Sequence, residues 1–306
     1  MPGKLTYSLL VPCYNAAAYT DGFIKHISEL NKPFDEVIFY DDASNDTTVQ
    51  ILTDAGFDVI QGKINKGPGY ARNRLAEKAK SGYIHFHDID DEFNPAFLNL
   101  VNHKINNAEP DVVFGNADWI DAVTRDKIIQ WRYSAGEVEE NALSYFVSHP
   151  LGVINTVYKR EAFLSVGGFD ENIKCWEDAD LHVKLAAAGC SFTFINEVLA
   201  YSLRHSNGIS KDQLWCWGCR LKFIERYLTE YPQLNKTVFE LELKKVQNAF
   251  VITGEFKQLS RIIRLKKKYR LALNTNKIAV LYYLNKLFSS SFILRMLRLK
   301  MSGHLR

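Results

Sequence analysis

The chain has 306 residues, of which 47% are hydrophobic and 24% are charged. This composition is typical of a globular protein and excludes a disordered chain, a collagen and a coiled coil. The length predicts about two domains, or one large α/β domain with an appendage. The net charge of +3 hides an asymmetry: residues 256–306 hold 13 lysines and arginines and no acidic residue. Residues 1–255 hold 25 basic and 35 acidic side chains, so an acidic body precedes a basic tail.

The chain opens without the pattern of a secretory signal. Its longest apolar stretch, 278–294, is interrupted by Asn285, Lys286 and three serines, so a spanning helix of about 20 apolar residues is not predicted. The five cysteines are sparse, odd in number and without the spacing of a disulfide-rich domain. This usage is typical of a reducing cytosol, and we expect a cytoplasmic protein.

The first 120 residues alternate strand-like and helix-like segments. The predicted strands are Thr6–Val11, Glu36–Tyr40, Phe57–Ile60, Tyr83–Phe86 and Val112–Phe114. The predicted helices are Thr20–Leu30, a segment around Val49, Ile51 and Leu52, Gly69–Lys80 and Ala96–Asn107. This alternation predicts an α/β fold with a mostly parallel sheet and helices on both faces. In such sheets, ligands bind beyond the carboxyl ends of the strands.

The middle of the chain is less regular, and the last third is helical. Glu137–Val147 and Ala179–Ala188 are predicted helices, and Phe192–Ile195 is the last predicted strand. From Leu214 onward the apolar spacing is helical only. One apolar stripe runs through Leu221, Ile224 and Leu228, and another through Leu241, Val246 and Phe250. We therefore predict two domains, 1–212 and 213–306, the second being a helical C-terminal extension.

Acidic clusters follow two of the predicted strands, and a third cluster opens a helix. The clusters are Asp41-Asp42, Asp88-Ile89-Asp90-Asp91-Glu92 and Glu177-Asp178-Ala179-Asp180. Crowded carboxylates repel one another unless a cation or hydrogen-bond donors balance them. Alternate side chains of an extended segment point the same way, so Asp88 and Asp90 can face one ligand such as Mg²⁺ or Mn²⁺. One such cluster alone is more typical of a solvated turn, where aspartate is common, but three together favour a ligand site.

The stretch from Asn65 to Asn73 lies at a predicted strand-to-helix junction. Its glycines permit unusual backbone angles, and the helix N-terminus with Lys66, Arg72 and Arg74 favours an anion. The dinucleotide-binding fingerprint is rejected, because it follows the first strand and its third glycine would fall at Arg72. A glycine turn with surface cations is the alternative.

Together these stretches resemble family 2 glycosyltransferases of the GT-A fold. The matching segments occur in the expected order over residues 5–210: Val11–Asn15, Asp41–Asp46, Asn65–Asn73, Asp88–Asp91, Gly167–Asp170 and Glu177–Leu181. The resemblance implies a Rossmann-like GT-A domain that transfers a sugar from a nucleotide-sugar with inversion. It also implies a bacterial enzyme of surface polysaccharide synthesis.

The resemblance implies a role for each of several residues. Asp178 would be the general base and Asp90 would hold Mn²⁺ or Mg²⁺, with His205 as a further metal ligand. Trp176 and Glu177 would lie on the acceptor side. The nucleotide-sugar would contact Pro12, Tyr14, Asn15, Asp42, Lys66, Gly67, Arg72 and Asp88. An aspartate at position 42 suits uracil, which favours a UDP-sugar carrying a hexose or an N-acetylhexosamine.

Several of these residues have a structural alternative. Spacing does not separate Asp178 from Asp180, since either could oppose the helix dipole. Trp176 could stack on a sugar or pack in a core. His85 and His87 could mimic a zinc site with Asp88, but a buried strand makes them core residues. Two further residues, Cys216 and Cys219, form a lone Cys-x-x-Cys for which we favour a structural role.

The basic tail interleaves cations with apolar residues around Arg261–Leu273 and Ile293–Lys300. This pattern predicts contact with an anionic membrane at its inner face, near lipid-linked or membrane-displayed acceptors; the alternative is a solvated helical face. The positive charge of the tail alone would permit nucleic-acid binding, but no other feature of the sequence supports it. The helical region after residue 212 could shape the acceptor site, pair subunits or contact the membrane. The alternatives to a glycosyltransferase are a non-catalytic nucleotide-binding scaffold and a nucleotidyltransferase.

Overall fold

The structure, a computed structural model, describes residues 5–204, 212–234, 236–253 and 258–272, with the single positions 255, 284, 289 and 292. The chain divides into two compact units, Met1–Gly208 and Ile209–Arg306. The first unit has one sheet flanked by helices, and the described part of the second is helical. The predicted α/β class, with helices on both faces of a sheet and a helical C-terminal region, is confirmed.

The described residues form nine strands and ten helices. The strands are β1 Tyr7–Cys13, β2 Glu36–Asp41, β3 Asp58–Gln61, β4 Tyr83–Phe86, β5 Glu92–Phe93, β6 Val112–Asp121, β7 Lys127–Trp131, β8 Thr156–Lys159 and β9 Phe192–Arg204. The helices are α1 Ala17–Ser28, α2 Thr48–Asp54, α3 Pro68–Lys78, α4 Phe97–Ala108, α5 Ala135–Ser148, α6 Arg160–Ser165, α7 Glu177–Ala187, α8 Gln213–Glu230, α9 Lys236–Thr253 and α10 Leu259–Lys268.

The strand order brings the ends of β1, β2 and β4 together. The order is β3-β2-β1-β4-β8-β6-β9-β5, and β7 pairs with β6. Strands β1 to β4 are parallel, whereas β8 lies antiparallel between β4 and β6. Parallel strands end at the same edge of a sheet, which is where ligands bind in α/β folds. Cys13 is in register with Asp41, so Tyr14 and Asp42 follow neighbouring strand ends.

The sheet is buried on both faces by two apolar cores. Leu9 and Val11 of β1 belong to a core shared with α1, α2 and α4, while Leu10 belongs to a core shared with α3, α6 and α7. A strand that is buried on both faces is continuously apolar rather than alternating. This is why the run in β1 was recognisable as a strand from sequence.

Three strands and one helix were not predicted. Strands β5, β7 and β8 and helix α6 are short, and short apolar runs carry no clear period. They are held by pairing with distant segments, as β8 is held between β4 and β6. The predicted ends of β6 at Phe114 and of β9 at Ile195 are wrong, because these two strands pair with each other as far as Asp121 and Arg204.

His85 and His87 are core residues. His85 Nδ1 lies 2.8 Å from the Thr156 carbonyl oxygen, and the two rings are joined by a 3.1 Å contact between His85 Nε2 and His87 Nδ1. The His87 ring stacks on Phe93 at 3.6 Å between ring centres. Burial lowers the pKa of His85 to about 4 and that of His87 well below its ordinary value, so both rings are neutral. These contacts support the core interpretation over a zinc site.

In the second unit, α8 and α9 bury a stripe of apolar residues, and a buried ion pair lies beside it. Leu221, Ile224 and Leu228 are buried as predicted, but Leu241 is 55% exposed. Leu243 is buried in its place, because it lies three residues before Val246 on a helix and Leu241 does not. Beside this stripe, Arg220 Nη2 donates to Glu242 Oε2 at 2.6 Å, and both side chains are buried.

Helix α10 contains the described part of the basic tail. Its apolar residues Ile262 and Leu265 are buried, whereas Arg264, Lys267 and Lys268 are exposed. The apolar side of α10 therefore packs within the protein and leaves a basic surface. The second basic segment, 293–300, lies outside the described residues. Within the described ranges, no helix has both the length and the apolar composition needed to cross a membrane.

The side chain of Asn73, on α3, holds the loop between α6 and α7. Its Nδ2 donates to the Phe169 carbonyl oxygen at 2.9 Å, and its Oδ1 accepts from the Phe169 N–H at 2.9 Å. Gly167 and Gly168 have φ values of 76° and 61°. A Cβ on Gly168 would overlap Asn73 Oδ1 and lie only 3.0 Å from the Phe163 ring, so only glycine permits this close approach.

We expect Gly168→Ala to lower the midpoint of thermal unfolding more than Gly167→Ala. Both place a side chain at positive φ, which costs about 1–3 kcal/mol. Gly167 has open space around it, whereas overlap at Gly168 adds about 1–3 kcal/mol. Calorimetric melting measures the difference, with Gly136→Ala in open space on α5 as a control that should not destabilise. Equal midpoints for the two loop variants would contradict the close approach.

Candidate active site

The carboxylate of Asp42, directly after β2, holds the loop that precedes α3. It is 4% exposed and accepts hydrogen bonds from the N–H of Lys66 at 2.9 Å and of Gly67 at 2.6 Å. Gly67 has a φ of 92°, which few other residues adopt, and this lets successive N–H groups point at one carboxylate. Asp42 therefore positions this loop, and its contact with a nucleotide base stays a prediction.

Pro12, Tyr14 and Asn15 lie at the carboxyl end of β1. The Asn15 N–H donates to Ser44 Oγ at 2.8 Å, and Asn15 Oδ1 accepts from the Asn45 N–H at 2.8 Å. These bonds tie the end of β1 to the segment that follows β2. Tyr14 is 48% exposed and Pro12 is half-buried, so both are accessible to a ligand at this edge of the sheet.

Arg72 is a buried cation that joins two of the acidic clusters. Its side chain is 5% exposed, and it donates to Asp88 Oδ1 at 2.7 Å and to Glu177 Oε1 at 2.9 Å. The guanidinium carbon also lies 5.6 Å from the ring centre of Phe169. Burial alone would lower the pKa of Arg72, but the charges of Asp88 and Glu177 raise it above its ordinary value. Its predicted place in a nucleoside pocket stays a prediction.

The Asp88–Asp91 segment has two accessible carboxylates and one buried carboxyl group. Asp88 and Asp90 are half-buried, whereas Asp91 is buried and accepts from the Leu203 N–H at 2.7 Å. Burial, and then the charges of Asp88 and Asp90, raise the pKa of Asp91 well above its ordinary value. Asp91 therefore anchors the segment to β9, which the sequence pattern did not indicate. Asp88 and Asp90 are the carboxylates that a ligand can reach.

Asp88 and Asp90 fit a divalent cation that is shared with a substrate phosphate. Mg²⁺ and Mn²⁺ at such sites commonly take one or two protein carboxylates. The like charges acting on Asp91 show a crowding that a cation would offset. Across the described ranges, no group of three or more His, Cys, Asp or Glu side chains could hold a metal by itself. His205, the other predicted ligand, lies outside the described residues.

Asp178 lies in the first turn of α7, where the helix N-terminus favours acidic residues. Its side chain is half-buried, and Oδ1 accepts from the Ala179 N–H at 2.7 Å. Burial, followed by the charge of Glu177, raises the pKa of Asp178 to about 7. Asp180 is completely buried, at 0% exposed. The structure therefore favours Asp178 as the carboxylate that a substrate can reach.

The other predicted residues of this region have partners within the protein. Glu177 is 13% exposed and is held by Arg72. Trp176 is half-buried and precedes α7 with a φ of 72°. Lys66 is exposed, and its Nζ lies 4.2 Å from the ring centre of Tyr70. Their contacts with a substrate stay predictions.

Two residues near the site were missed by the sequence analysis. Lys174 Nζ donates to the Lys66 carbonyl oxygen at 2.6 Å and so braces the loop held by Asp42. Tyr133 donates to the Pro150 carbonyl oxygen at 3.1 Å, and burial, with the charge of Asp178 as a smaller cause, raises its pKa. Both residues lie in irregular parts of the chain, where no periodicity or motif marks them.

Residues 8–167, just over half of the chain, match the model described as "Glycosyl transferase family 2". The chain therefore belongs to glycosyltransferase family 2, and it is a glycosyltransferase.

Curated relatives and solved structures are similar over much of the chain. The processive diacylglycerol beta-glycosyltransferase of Mycoplasma pneumoniae is 26% identical, over 75% of this chain and 72% of the relative. The minor teichoic acid biosynthesis protein GgaA of Bacillus subtilis is 27% identical, over 56% of this chain and 41% of the relative. The crystal structure of S. aureus TarS residues 1–349 with UDP-GlcNAc has a TM-score of 0.65 and 19% identity, covering 87% of this chain and 80% of that one. This likeness shows the GT-A fold.

We expect Asp178→Asn to stabilise the protein relative to wild type at pH 8 but much less at pH 4. The pKa of Asp178 rises from an ordinary 3.8 to about 7 on folding. Between these values the folded state keeps a proton that the unfolded state has released, so stability is lost as pH rises through this window. The asparagine has no such proton to lose.

Thermal unfolding midpoints measured from pH 4 to pH 8 check this prediction. Glu161→Gln, an exposed acid in the first turn of α6, is the control and should follow the wild-type curve. Parallel curves for wild type and Asp178→Asn would show that the folded-state pKa is not raised.

Proposed function

We propose that the protein is an inverting glycosyltransferase that moves a hexose or an N-acetylhexosamine from a UDP-sugar to a glycan or lipid-linked acceptor. The observation that carries this proposal is the position of Asp178, half-buried in the first turn of α7 next to Glu177. In support, burial raises the pKa of Asp178 to about 7. A carboxylate with this pKa is partly ionised near neutral pH, which suits a general base. It lies beside Glu177, and Arg72 links Glu177 to Asp88 on the donor side.

On the donor side, Pro12, Tyr14 and Asn15 would contact the uridine, and the proposed cation would be held by Asp88 and Asp90. Mn²⁺ or Mg²⁺, when bound, offsets the negative charge that develops on the leaving diphosphate. The likeness to TarS, whose crystal structure contains UDP-GlcNAc, supports a UDP-sugar as the donor.

On the acceptor side, Asp178 takes the proton of the attacking hydroxyl while the hydroxyl oxygen forms a bond to C1 of the donor sugar. The bond between C1 and the diphosphate oxygen breaks, and its electron pair leaves with the diphosphate. Attack on the opposite face inverts C1 without a covalent intermediate. Only one base is needed, and Asp178 supplies it.

The proposed acceptor belongs to a bacterial surface glycan or glycolipid. Two relatives bear the names of a diacylglycerol glycosyltransferase and of a teichoic acid biosynthesis protein, which supports this class. Exposed Arg264, Lys267 and Lys268 on α10 would attract an anionic inner membrane face, at about 1 kcal/mol per basic residue. Since Ile262 and Leu265 are buried, this attraction would be electrostatic, without insertion of α10.

We expect UDP to bind in the presence of Mn²⁺, and to bind more tightly than GDP, CDP or ADP. A chelator or the substitution Asp90→Ala should strongly weaken this binding, because the diphosphate charge then lacks its counter-ion. Titration calorimetry measures all four nucleotides. Asp58→Ala, which changes an exposed aspartate at the start of β3, is the matched control and should bind as wild type does. A folded protein that binds none of the nucleotides would contradict the proposed donor.

We expect Asp178→Asn to lower the rate of sugar transfer about 10²–10⁴-fold while UDP binding is retained. In the wild type, the rate should rise with pH about a midpoint near 7, because the base must be ionised. Release of UDP in the presence of acceptor extracts measures the rate, and Glu161→Gln is again the control. Full activity in Asp178→Asn would exclude it as the base.

A further inference from the structure

A pair of tryptophans lies on the hairpin formed by β6 and β7, outside the residues assigned so far. In the antiparallel register, Trp119 faces Ile129 and Ala117 faces Trp131. Residues in such register share one face of the sheet, and so do residues two apart. The two indole rings are therefore diagonal neighbours on one face, with ring centres 5.8 Å apart and planes 31° from parallel.

Strand β9 adds a cation to the same face. Ser202 and Arg204 lie beside Trp119 and Asp121 in the parallel register of β6 with β9. The Arg204 guanidinium carbon is 6.0 Å from the ring centre of Trp119. Arg204 is exposed and both tryptophans are half-buried, so this cluster retains surface that a ligand can reach.

One side of the pair borders the Asp88–Asp91 segment. Asp91 Oδ1 accepts from the Leu203 N–H at 2.7 Å, and Ser202, the residue before Leu203, is the β9 neighbour of Trp119. Adjacent strands are about 4.8 Å apart, so the Trp119 position is one strand spacing from the part of β9 that Asp91 contacts.

The other side of the pair borders the loop between α5 and β8. A Cβ on Gly152 would lie 3.8 Å from Cζ3 of Trp131. This loop leads into β8, where the Tyr158 hydroxyl lies 2.8 Å from Nε2 of His182, one helical turn after Asp178 on α7. The two tryptophans therefore lie between the Asp88–Asp91 segment and the surroundings of Asp178.

The order of the strands favours an acceptor over a nucleotide at this place. The residues proposed to bind the nucleotide follow β1 and β2, whereas β6, β7 and β9 lie beyond β4 and β8 in the sheet. A hydroxyl that inverts C1 must approach from the side opposite the leaving group. The acceptor therefore enters from the part of the sheet that carries the two tryptophans.

We propose that Trp119 and Trp131, with Arg204 at their edge, form a platform on which a sugar ring of the acceptor stacks. Indole rings offer a large, rigid apolar surface that matches the C–H face of a pyranose. Arg204 supplies N–H groups that can donate hydrogen bonds to the hydroxyl oxygens of the sugar. This inference rests on the proposed function, and it names the acceptor group next to the reaction as a saccharide.

Saturation-transfer difference NMR on the full chain with UDP tests the platform. The probes are methyl β-glucoside, methyl β-galactoside and methyl β-N-acetylglucosaminide. We expect transfer to the ring-face protons of at least one probe, and about two- to tenfold weaker binding in Trp119→Ala and Trp131→Ala. Trp119→Phe keeps an aromatic face and should retain most of the signal. Trp215→Ala on α8, where the tryptophan is 39% exposed, is the matched control.

Two outcomes overturn the platform: no transfer to any of the three glycosides, or equal binding by wild type and both alanine variants. Calorimetry with UDP on the same samples separates this result from the proposed function. If UDP binds but the glycoside signal does not depend on the tryptophans, the platform is rejected and the proposed function stands. If folded wild type does not bind UDP, the proposed donor is rejected, and the glycoside signal still decides the platform.

Discussion

The arrangement of the active site depends on the buried guanidinium of Arg72. Two carboxylates, Asp88 and Glu177, come from segments 89 residues apart and meet on this one cation. Without it, these two acidic clusters would repel one another. Breaking a buried ion pair by removing one partner typically costs about 3–5 kcal/mol. A lysine would not replace Arg72, because only a planar guanidinium donates to both carboxylates in this fixed geometry.

Asn73, the residue after Arg72 on α3, holds the loop between α6 and α7. Asn73 binds the backbone of Phe169, and Phe169 presents its ring to the Arg72 guanidinium. Two successive residues of one helix thus fix the acidic segments and the glycine loop before α7. The Ala-Arg-Asn and Gly-Gly-Phe-Asp segments are therefore held together by direct contacts. Each supplies the contact that the other needs, and Gly168 is required because no Cβ fits against Asn73.

Burial divides two of the acidic clusters into structural and accessible members, whereas Asp41 and Asp42 are both buried. Asp91 and Asp180 are buried, while Asp88, Asp90 and Asp178 keep surface that a substrate can reach. The same desolvation that makes Asp178 costly to ionise gives it a pKa near that of a general base at neutral pH. Some stability is therefore given up at the position that the proposed reaction uses, which is common in active sites.

The sequence by itself determined the α/β class, most strands and helices of residues 5–120, and the segments that form the site. Buried parallel strands are continuous apolar runs, and motifs such as Asp88–Asp91 are contiguous. Both can therefore be recognised from the sequence alone. Only the tertiary structure decided that Arg72 binds Glu177, that Asp178 rather than Asp180 is accessible, and that Trp119 meets Trp131. Each of these depends on burial or on pairing between distant segments. Short strands such as β5 and β8 were missed for the same reason, since their partners, and not their own period, make them strands.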